Sequence, residues 1–322
     1  KLKNGVWELK LKTGEIKHLD LYKLSMHWNG GHGERIPAWA TRVVQDEKTY
    51  IFSAQVWSPS RPYKFKKKKF KPQISPLLIY ECHIGMAQEE ERIGSYNEFR
   101  EKILPRIAKD GYNAIQIMAI QEHPYYGSFG YHVSSFFAPS SRFGTPDELK
   151  QLIDEAHASG IAVIMDIVHS HAVKNEVEGL GRFDGSYNQF FYGDHRREHP
   201  AWDSLCFDYG KNEVIHFLLS NCKYWLEEFK FDGFRPVRRD GEVSGVPGNP
   251  ELLRQVFQFE PELSFPVERV EKPAGDPEAP AGSGRAGSRR FQKPPGRFDT
   301  ACAFQFQRGG HRSQRKKRHA LF

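Results

Sequence analysis

The stretch MDIVHSH (165–171) sets a carboxylate and two imidazoles, Asp166, His169 and His171, at the end of an apolar run. Polar groups at the end of a buried segment cost free energy unless they are partnered. Three kinds of chemistry fit the trio. It could be a set of hydrogen-bonded groups that completes a core, a metal site (for which the spacing alone is thin), or contacts to a polar substrate. A second stretch, EHPYYGSFGYHVSSFFAPSSRFG (122–144), mixes aromatic rings with hydroxyls. Aromatic faces suit the apolar C–H faces of sugar rings and hydroxyls suit their edges. The same composition also suits a packed surface loop. A third stretch, FDGFR (231–235), ends a short apolar segment on a guanidinium, and Pro-Val-Arg-Arg follows it.

Positioning these groups requires an ordered frame, and the flanking sequence predicts one. LLIYECHIG (78–85, with Leu77), AIQIMAI (114–120), IAVIMDIV (161–168) and FDGFR read as four buried strands. Between them lie three amphipathic helices. Ser95 with Glu98 forms a capping box before Phe99, Ile103 and Ile107. Thr145 with Glu148 forms another, with Pro146 at the first helical position, before the stripe Leu149, Leu152, Ile153 and Ala156, and Gly160 suits the stop. NEVIHFLLSNCKYWLEEF (212–229) is the third. Continuous apolar strands alternating with such helices predict a parallel sheet in an α/β fold. Four units with long insertions after strands two and three predict the first half of a (β/α)₈ TIM barrel, whose strand C-termini carry the chemistry. Residues 1–75 alternate, as in GVWELKLK and KTYIFSAQVW, and predict strands of a small β-domain. SPSRPYKFKKKKFKPQISP (58–76) reads as an exposed basic linker, a solvated charge run.

Composition narrows the partners. The chain has 322 residues, 39% of them hydrophobic and 13% aromatic, with no 18-residue apolar run, so no membrane helix is expected. No charged-then-apolar leader opens it, and it starts on Lys1, which predicts a native start further upstream. Four scattered cysteines, Cys82, Cys206, Cys222 and Cys302, without CxxC spacing predict neither disulfides nor a zinc site. They fit a reducing, cytoplasmic location. The net charge of +7 sits almost wholly in the tail: residues 236–322 hold 16 basic against 10 acidic groups, and residues 1–235 hold 31 against 30. The body is therefore neutral. RSQRKKRH (312–319) is a basic run without aromatic neighbours, and nucleic-acid binding is not expected.

The run 78–235 resembles the α-amylase superfamily of (β/α)₈ glycoside enzymes, and within it the 1,4-α-glucan (glycogen) branching enzymes. LLIYECHIG, MAIQEHPYYGSFGYHVSSFFAPSSRFGTPDELKQLIDEAH, MDIVHSH and FDGFR carry the likeness, in that order. It covers about residues 20–235. The resemblance implies that 1–75 is the end of a β-sandwich carbohydrate-binding module and 76–235 the N-terminal half of the catalytic barrel. It implies an α-1,4-glucan or glycogen as partner, no cofactor and no metal. Tyr131 would stack on the sugar before the cleaved bond, and Asp166 would support the substrate-binding geometry. His171 would bond a hydroxyl of the same sugar, and Arg235 would orient the nucleophile two residues on. His169 and His132 receive no role.

Retaining enzymes of this kind need two carboxyl groups roughly 5–5.5 Å apart, one attacking the anomeric carbon and one protonating the leaving oxygen. In branching enzymes a glucan 6-hydroxyl intercepts the covalent intermediate. Here the nucleophile position holds Val237, and no convincing acid/base glutamate follows. Asp240 is too far along, and Pro236 is expected to disrupt the strand. The chain is thus expected to be truncated and inactive, with a non-catalytic glucan-binding protein as the alternative. After Arg235 the composition changes: the last 87 residues hold ten of 20 prolines and ten of 28 glycines, and no Ile, Tyr, Trp or Met. Such a segment cannot offset its ordering entropy, so a disordered tail is expected over 236–322. A lost reading frame would explain it, because GTT CGA CGN encodes Val-Arg-Arg and, one nucleotide later, Phe-Asp-Gly. A genuine tail is the other explanation.

Overall fold

A computed structural model describes residues 9–67, 69–72 and 76–236, and the backbone of 301–307. Its centre is a four-stranded parallel sheet built from β5 (Ile79–Cys82), β6 (Ala114–Ile117), β9 (Ala162–Ile167) and β13 (Gly233–Pro236). These strands lie side by side in chain order. Sequential parallel order is that of a barrel wall, whereas a doubly wound sheet reverses direction at a switch point. Register places Gln116 beside Glu81 and Ile164, and Arg235 beside Asp166.

Helices cover the outer face. The first begins at the expected Ser95 cap, where Ser95 Oγ accepts from the Glu98 amide at 3.2 Å and Glu98 returns a bond to the Ser95 amide at 3.1 Å. It runs as α1 (Tyr96–Glu98), a π segment (Phe99–Ile103) and α2 (Leu104–Lys109). The widened turn has a local cause: Pro105 has no N–H to give the helical ladder, and the Leu104 amide instead reaches Phe99 O. The helix α3 (Pro146–Ala158) carries the predicted Thr145–Glu148 box, and Leu149, Leu152, Ile153 and Ala156 are all fully buried. Gly160 ends it at φ +79°, where a side chain would be strained. The helix α4 (Asn212–Glu228) completes the layer. Cys82, Ile115, Ile117, Val163, Met165 and Ile167 pack outward against these helices with Trp225 at the centre.

Ahead of this sheet lie β1 (Leu21–Trp28), β2 (Gly31–Arg35), β3 (Val43–Gln45) and β4 (Phe52–Gln55), in one antiparallel sheet. KTYIFSAQVW supplies β4 as expected. GVWELKLK does not supply a strand where it is described: residues 9–12 lead into a turn in which the Glu15 amide bonds Lys12 O at 3.0 Å and Gly14 takes φ +86°. Among the described residues, these strands form a single sheet. Its buried side packs on the barrel: Val43, Phe52 and Ala54 share a cluster with Ala138, and Leu24 and Met26 share another with Val133 and Phe136.

The basic segment 58–76 differs from a solvated linker. Asp154 of α3 accepts from Tyr63 Oη at 2.6 Å and from the Lys66 and Lys67 amides at 2.7 and 2.8 Å. Phe65 packs against the main core, and Phe70 and Leu77 close over Ala114, Ala162 and Ile164. The described lysines are exposed, but the backbone and aromatics between them form a strap, because a buried carboxylate on the helix collects the Lys66 and Lys67 amides.

Two further expectations change. Pro236 does not break the fourth strand; it is its last residue, paired with Ile167, where a missing donor costs little. The tail is not wholly without structure: β14 (Ala301–Gln307) pairs antiparallel with β1 from Leu21 to His27. Its sequence ACAFQFQ alternates with the strand period, and β1 offers an edge. Residues 237–300 and 308–322 lie outside the described residues, and with them Val237, Asp240, the basic run 312–319 and the rest of the expected disorder.

Candidate active site at the carboxyl ends of the parallel strands

Three of the four expected contact residues meet at one point. Asp166, the fifth residue of β9, is completely buried. Its Oδ2 accepts from Tyr131 Oη at 2.7 Å and from Arg235 Nη1 at 2.9 Å. Its Oδ1 is buried without a partner among the described residues. Burial raises the Asp166 pKa, while the Tyr131 hydroxyl and the Arg235 charge work in the opposite direction. For Arg235 burial disfavours the charged form, but Asp166 outweighs it and the guanidinium is held protonated. The Tyr131 phenol is pushed up by burial and then by donating to Asp166. Arg235 is half exposed, so this pair opens to the inside of the sheet.

Tyr131 arrives there through an unusual loop. Phe129 sits at φ +52°, a left-handed conformation that is uncommon for a bulky residue and costs about 1–3 kcal/mol. Gly130 follows at φ +91°, and a Cβ there would collide with the Ala119 carbonyl. The Tyr131 amide closes the turn on Ser128 O at 3.0 Å. Below the loop Glu122 is fully buried, accepting from the Ser141 amide at 2.7 Å and pairing with Arg142. Arg142 also grips the carbonyls of His123 and Pro124. Sequence reading passed over this pair. The signal was present, a glutamate and an arginine bracketing the aromatic loop, but nothing in the spacing says that they meet.

His171 is placed one step back. Its Nε2 bonds Tyr131 O at 2.9 Å and its Nδ1 bonds Ser170 Oγ at 2.9 Å, so both ring nitrogens are engaged within the protein. In this arrangement it holds the backbone of Tyr131. His169 lies on the other side of the chain, with Nε2 on Asn221 Oδ1 at 2.9 Å. Asn221 and Gln121 are in turn bonded to each other at 3.1 Å and to Phe136 O. His169 is therefore a satisfied core polar group. His132 is half-buried and acts on His171 only through charge. His83, at the end of β5, was not singled out by sequence. It is buried against the edges of Tyr126, Phe129 and Phe143. No group of three or more ligating side chains that could hold a metal occurs among the described residues.

These histidines set a pH dependence. Burial lowers the pKa of His83, His169 and His171 to about 4. The unfolded chain takes up these protons near pH 6.5, so it binds more of them than the native state below that pH. Stability should thus be flat above about pH 7 and fall as pH drops from 6.5 towards 4. For the half-buried His169 alone the loss is on the order of 3 kcal/mol. Urea midpoints measured from pH 8 to pH 4 check this; midpoints that rise on acidification would contradict it.

With this geometry in place, likenesses to known proteins are informative. Residues 89–205 match the family model "Alpha amylase, catalytic domain". A 1,4-alpha-glucan-branching enzyme of Yarrowia lipolytica is 52% identical over 239 residues, covering 72% of this chain and 35% of the relative. The 1,4-alpha-glucan-branching enzyme 2-2, chloroplastic/amyloplastic, of Arabidopsis thaliana is 49% identical over 237 residues, 72% of this chain and 29% of its own length. The chain thus spans about a third of the length of these curated relatives. Among solved structures, a putative α-amylase from Salmonella typhimurium superposes with a TM-score of 0.56 at 22% identity, covering 74% of this chain and 44% of its own. The catalytic module of the glycogen-degrading pneumococcal virulence factor SpuA gives 0.60 at 17%, covering 75% and 40%. The last two show the fold alone. Identity near 50% over most of the chain, with an α-amylase catalytic-domain match inside it, means that the chain belongs to the 1,4-α-glucan-branching enzyme family of the α-amylase superfamily.

Proposed function

We propose that Tyr131, Asp166 and Arg235 form the sugar-holding floor of a 1,4-α-glucan-branching site. The observation that carries this reading is the meeting of a tyrosine hydroxyl and a guanidinium on one oxygen of a buried carboxylate, at the carboxyl ends of β9 and β13. With Oδ2 so occupied, the Tyr131 ring is held at a fixed angle to receive the face of a glucosyl unit. Asp166 Oδ1, which has no partner among the described residues, is available to accept from a sugar hydroxyl. Arg235 would hold ionised a carboxylate two residues along the chain. In the branching reaction that carboxylate forms the covalent glycosyl intermediate, and a glucan 6-hydroxyl replaces water as the acceptor. In this chain position 237 is valine, so the reading for the molecule itself is α-1,4-glucan or glycogen binding without turnover.

We further read the sheet of residues 21–55 as the end of a carbohydrate-binding module, and the location as cytoplasmic. The buried thiols of Cys82 and Cys222 support that location.

Calorimetric titration with maltoheptaose tests the site. The chain should bind it, and Tyr131→Ala should weaken binding at least about tenfold, the equivalent of about 1.4 kcal/mol. Absence of binding by the unaltered chain, or indifference to Tyr131→Ala in a folded variant, would refute the proposal.

A further inference from the structure

The strand that carries Arg235 is poorly equipped to find its own register. β13 is four residues long, with glycine at its start and proline at its end. Glycine offers no side chain to the pattern and proline no donor to the ladder. Of its side chains, Phe234 alone packs against the main core. A slip of one residue would turn Arg235 to the opposite face, and a slip of two would carry it about 6.6 Å along the strand. Either would separate Arg235 from Asp166. Something outside the strand must specify the pairing.

The structure holds such a device just before β13. The Asp232 amide donates to Val163 O at 2.9 Å, and Asp232 Oδ2 accepts from the Val163 amide at 2.7 Å. The carboxylate thereby continues the sheet ladder one rung below Gly233, which pairs with Ile164. Asp232 Oδ2 also accepts from His157 Nε2 at 2.9 Å, and both side chains are buried. With Nε2 as the donor, the imidazole fixes which way the carboxylate faces. His157 in turn stacks on Phe70 of the strap, ring centroids 4.2 Å apart and planes 10° apart. The strap is tied to Asp154, one turn earlier on the same helix. A continuous relay therefore runs from the strap through α3 to the entry of β13.

We propose that His157 and Asp232 are positioning residues: they set the register of β13 against β9, and so deliver Arg235 to Asp166, with Phe70 holding His157 in place. Neither touches the candidate site. The inference concerns the Arg235–Asp166 pair itself and stands or falls independently of whether the site takes a glucan.

A cross-link in the full chain tests it. Met165 and Phe234 are register partners. A Met165→Cys, Phe234→Cys variant should form a 165–234 disulfide under mild oxidation, identified by peptide mass spectrometry. Adding His157→Leu or Asp232→Ala should reduce that link at least about fivefold, and His157→Gln, which keeps a donor near the Nε2 position, should restore it. Equal cross-linking in all folded variants would overturn the proposal. If these variants lose their helical far-ultraviolet signal, Phe70→Ala in the otherwise unaltered chain decides, through hydrogen exchange. Exchange about tenfold faster confined to 161–168 and 229–236 supports the relay, and uniform loosening of the sheet, β5 and β6 included, refutes it.

Discussion

Incubated with amylose, the chain should leave the iodine absorbance unchanged, with turnover about 10⁶-fold or more below that of an intact enzyme of its family. The reason is chemical and local. Arg235 donates to Asp166 at 2.9 Å, and in the proposed reading its charge would stabilise a carboxylate two residues on. Two residues on, the sequence has valine at position 237, a side chain without the oxygen that attack on an anomeric carbon needs. Without that oxygen no glycosyl intermediate forms, and the 6-hydroxyl of an acceptor has nothing to intercept. Glycogen co-sedimentation should still succeed if the proposed floor of Tyr131, Asp166 and Arg235 holds a sugar, because none of the three is altered. Sequencing the transcript across codons 230–245 bears on the cause, since a one-nucleotide shift beneath Val237-Arg238-Arg239 would expose Phe-Asp-Gly. Branching of amylose by the chain as it stands would show that the assignment of position 237 is wrong.

Trp225→Ala should cost about 3–5 kcal/mol, the largest stability loss expected of any single core substitution here. Trp225, on α4, is fully buried in the main core cluster, with Phe229 at 4.9 Å and Phe231 at 6.0 Å between ring centroids. Its truncation would open a cavity among side chains that are themselves held by neighbours on several sides, so collapse into it is limited. The indole N–H also donates to Phe136 O at 3.2 Å, but Gln121 and Asn221 donate to the same carbonyl. That oxygen is therefore not orphaned, and the loss is mainly one of packing. Guanidinium unfolding gives the measure; a midpoint unchanged within error would show that this cluster is not the core.

Much of this molecule was legible from local rules. Both capping boxes, the stripe on α3, the Gly160 stop and the four apolar strands follow from periodicity and from the chemistry of helix ends, which act within a few residues. The MDIVHSH and FDGFR segments announced polar groups at strand ends for the same reason. What local rules misread depended on partners far away in the chain. The lysine-rich segment looked solvated because charge runs usually are, yet Asp154, some 90 residues on, gathers its amides. Within β1 the alternation of Tyr22, Leu24, Met26 and Trp28 with Lys23, Ser25 and His27 announces a strand, but the groups that bury Leu24 and Met26, Val133 and Phe136, come from across the molecule. Pro236 looked like a break because the sequence does not say that it ends the strand.

The sequence by itself determined which residues could do chemistry, with Asp166 and Arg235 at strand ends and Tyr131 in the aromatic loop, since strand period and helix caps depend on neighbours within a turn or two. Only the tertiary structure decided which of them meet. It joined Tyr131, Asp166 and Arg235 on one oxygen, set His171 behind Tyr131 and left His169 in the core. That sorting rests on sheet register, and register depends on contacts such as His157 to Asp232 that span 75 residues. No local pattern encodes a bond of that reach; it forms only when the whole layer has packed.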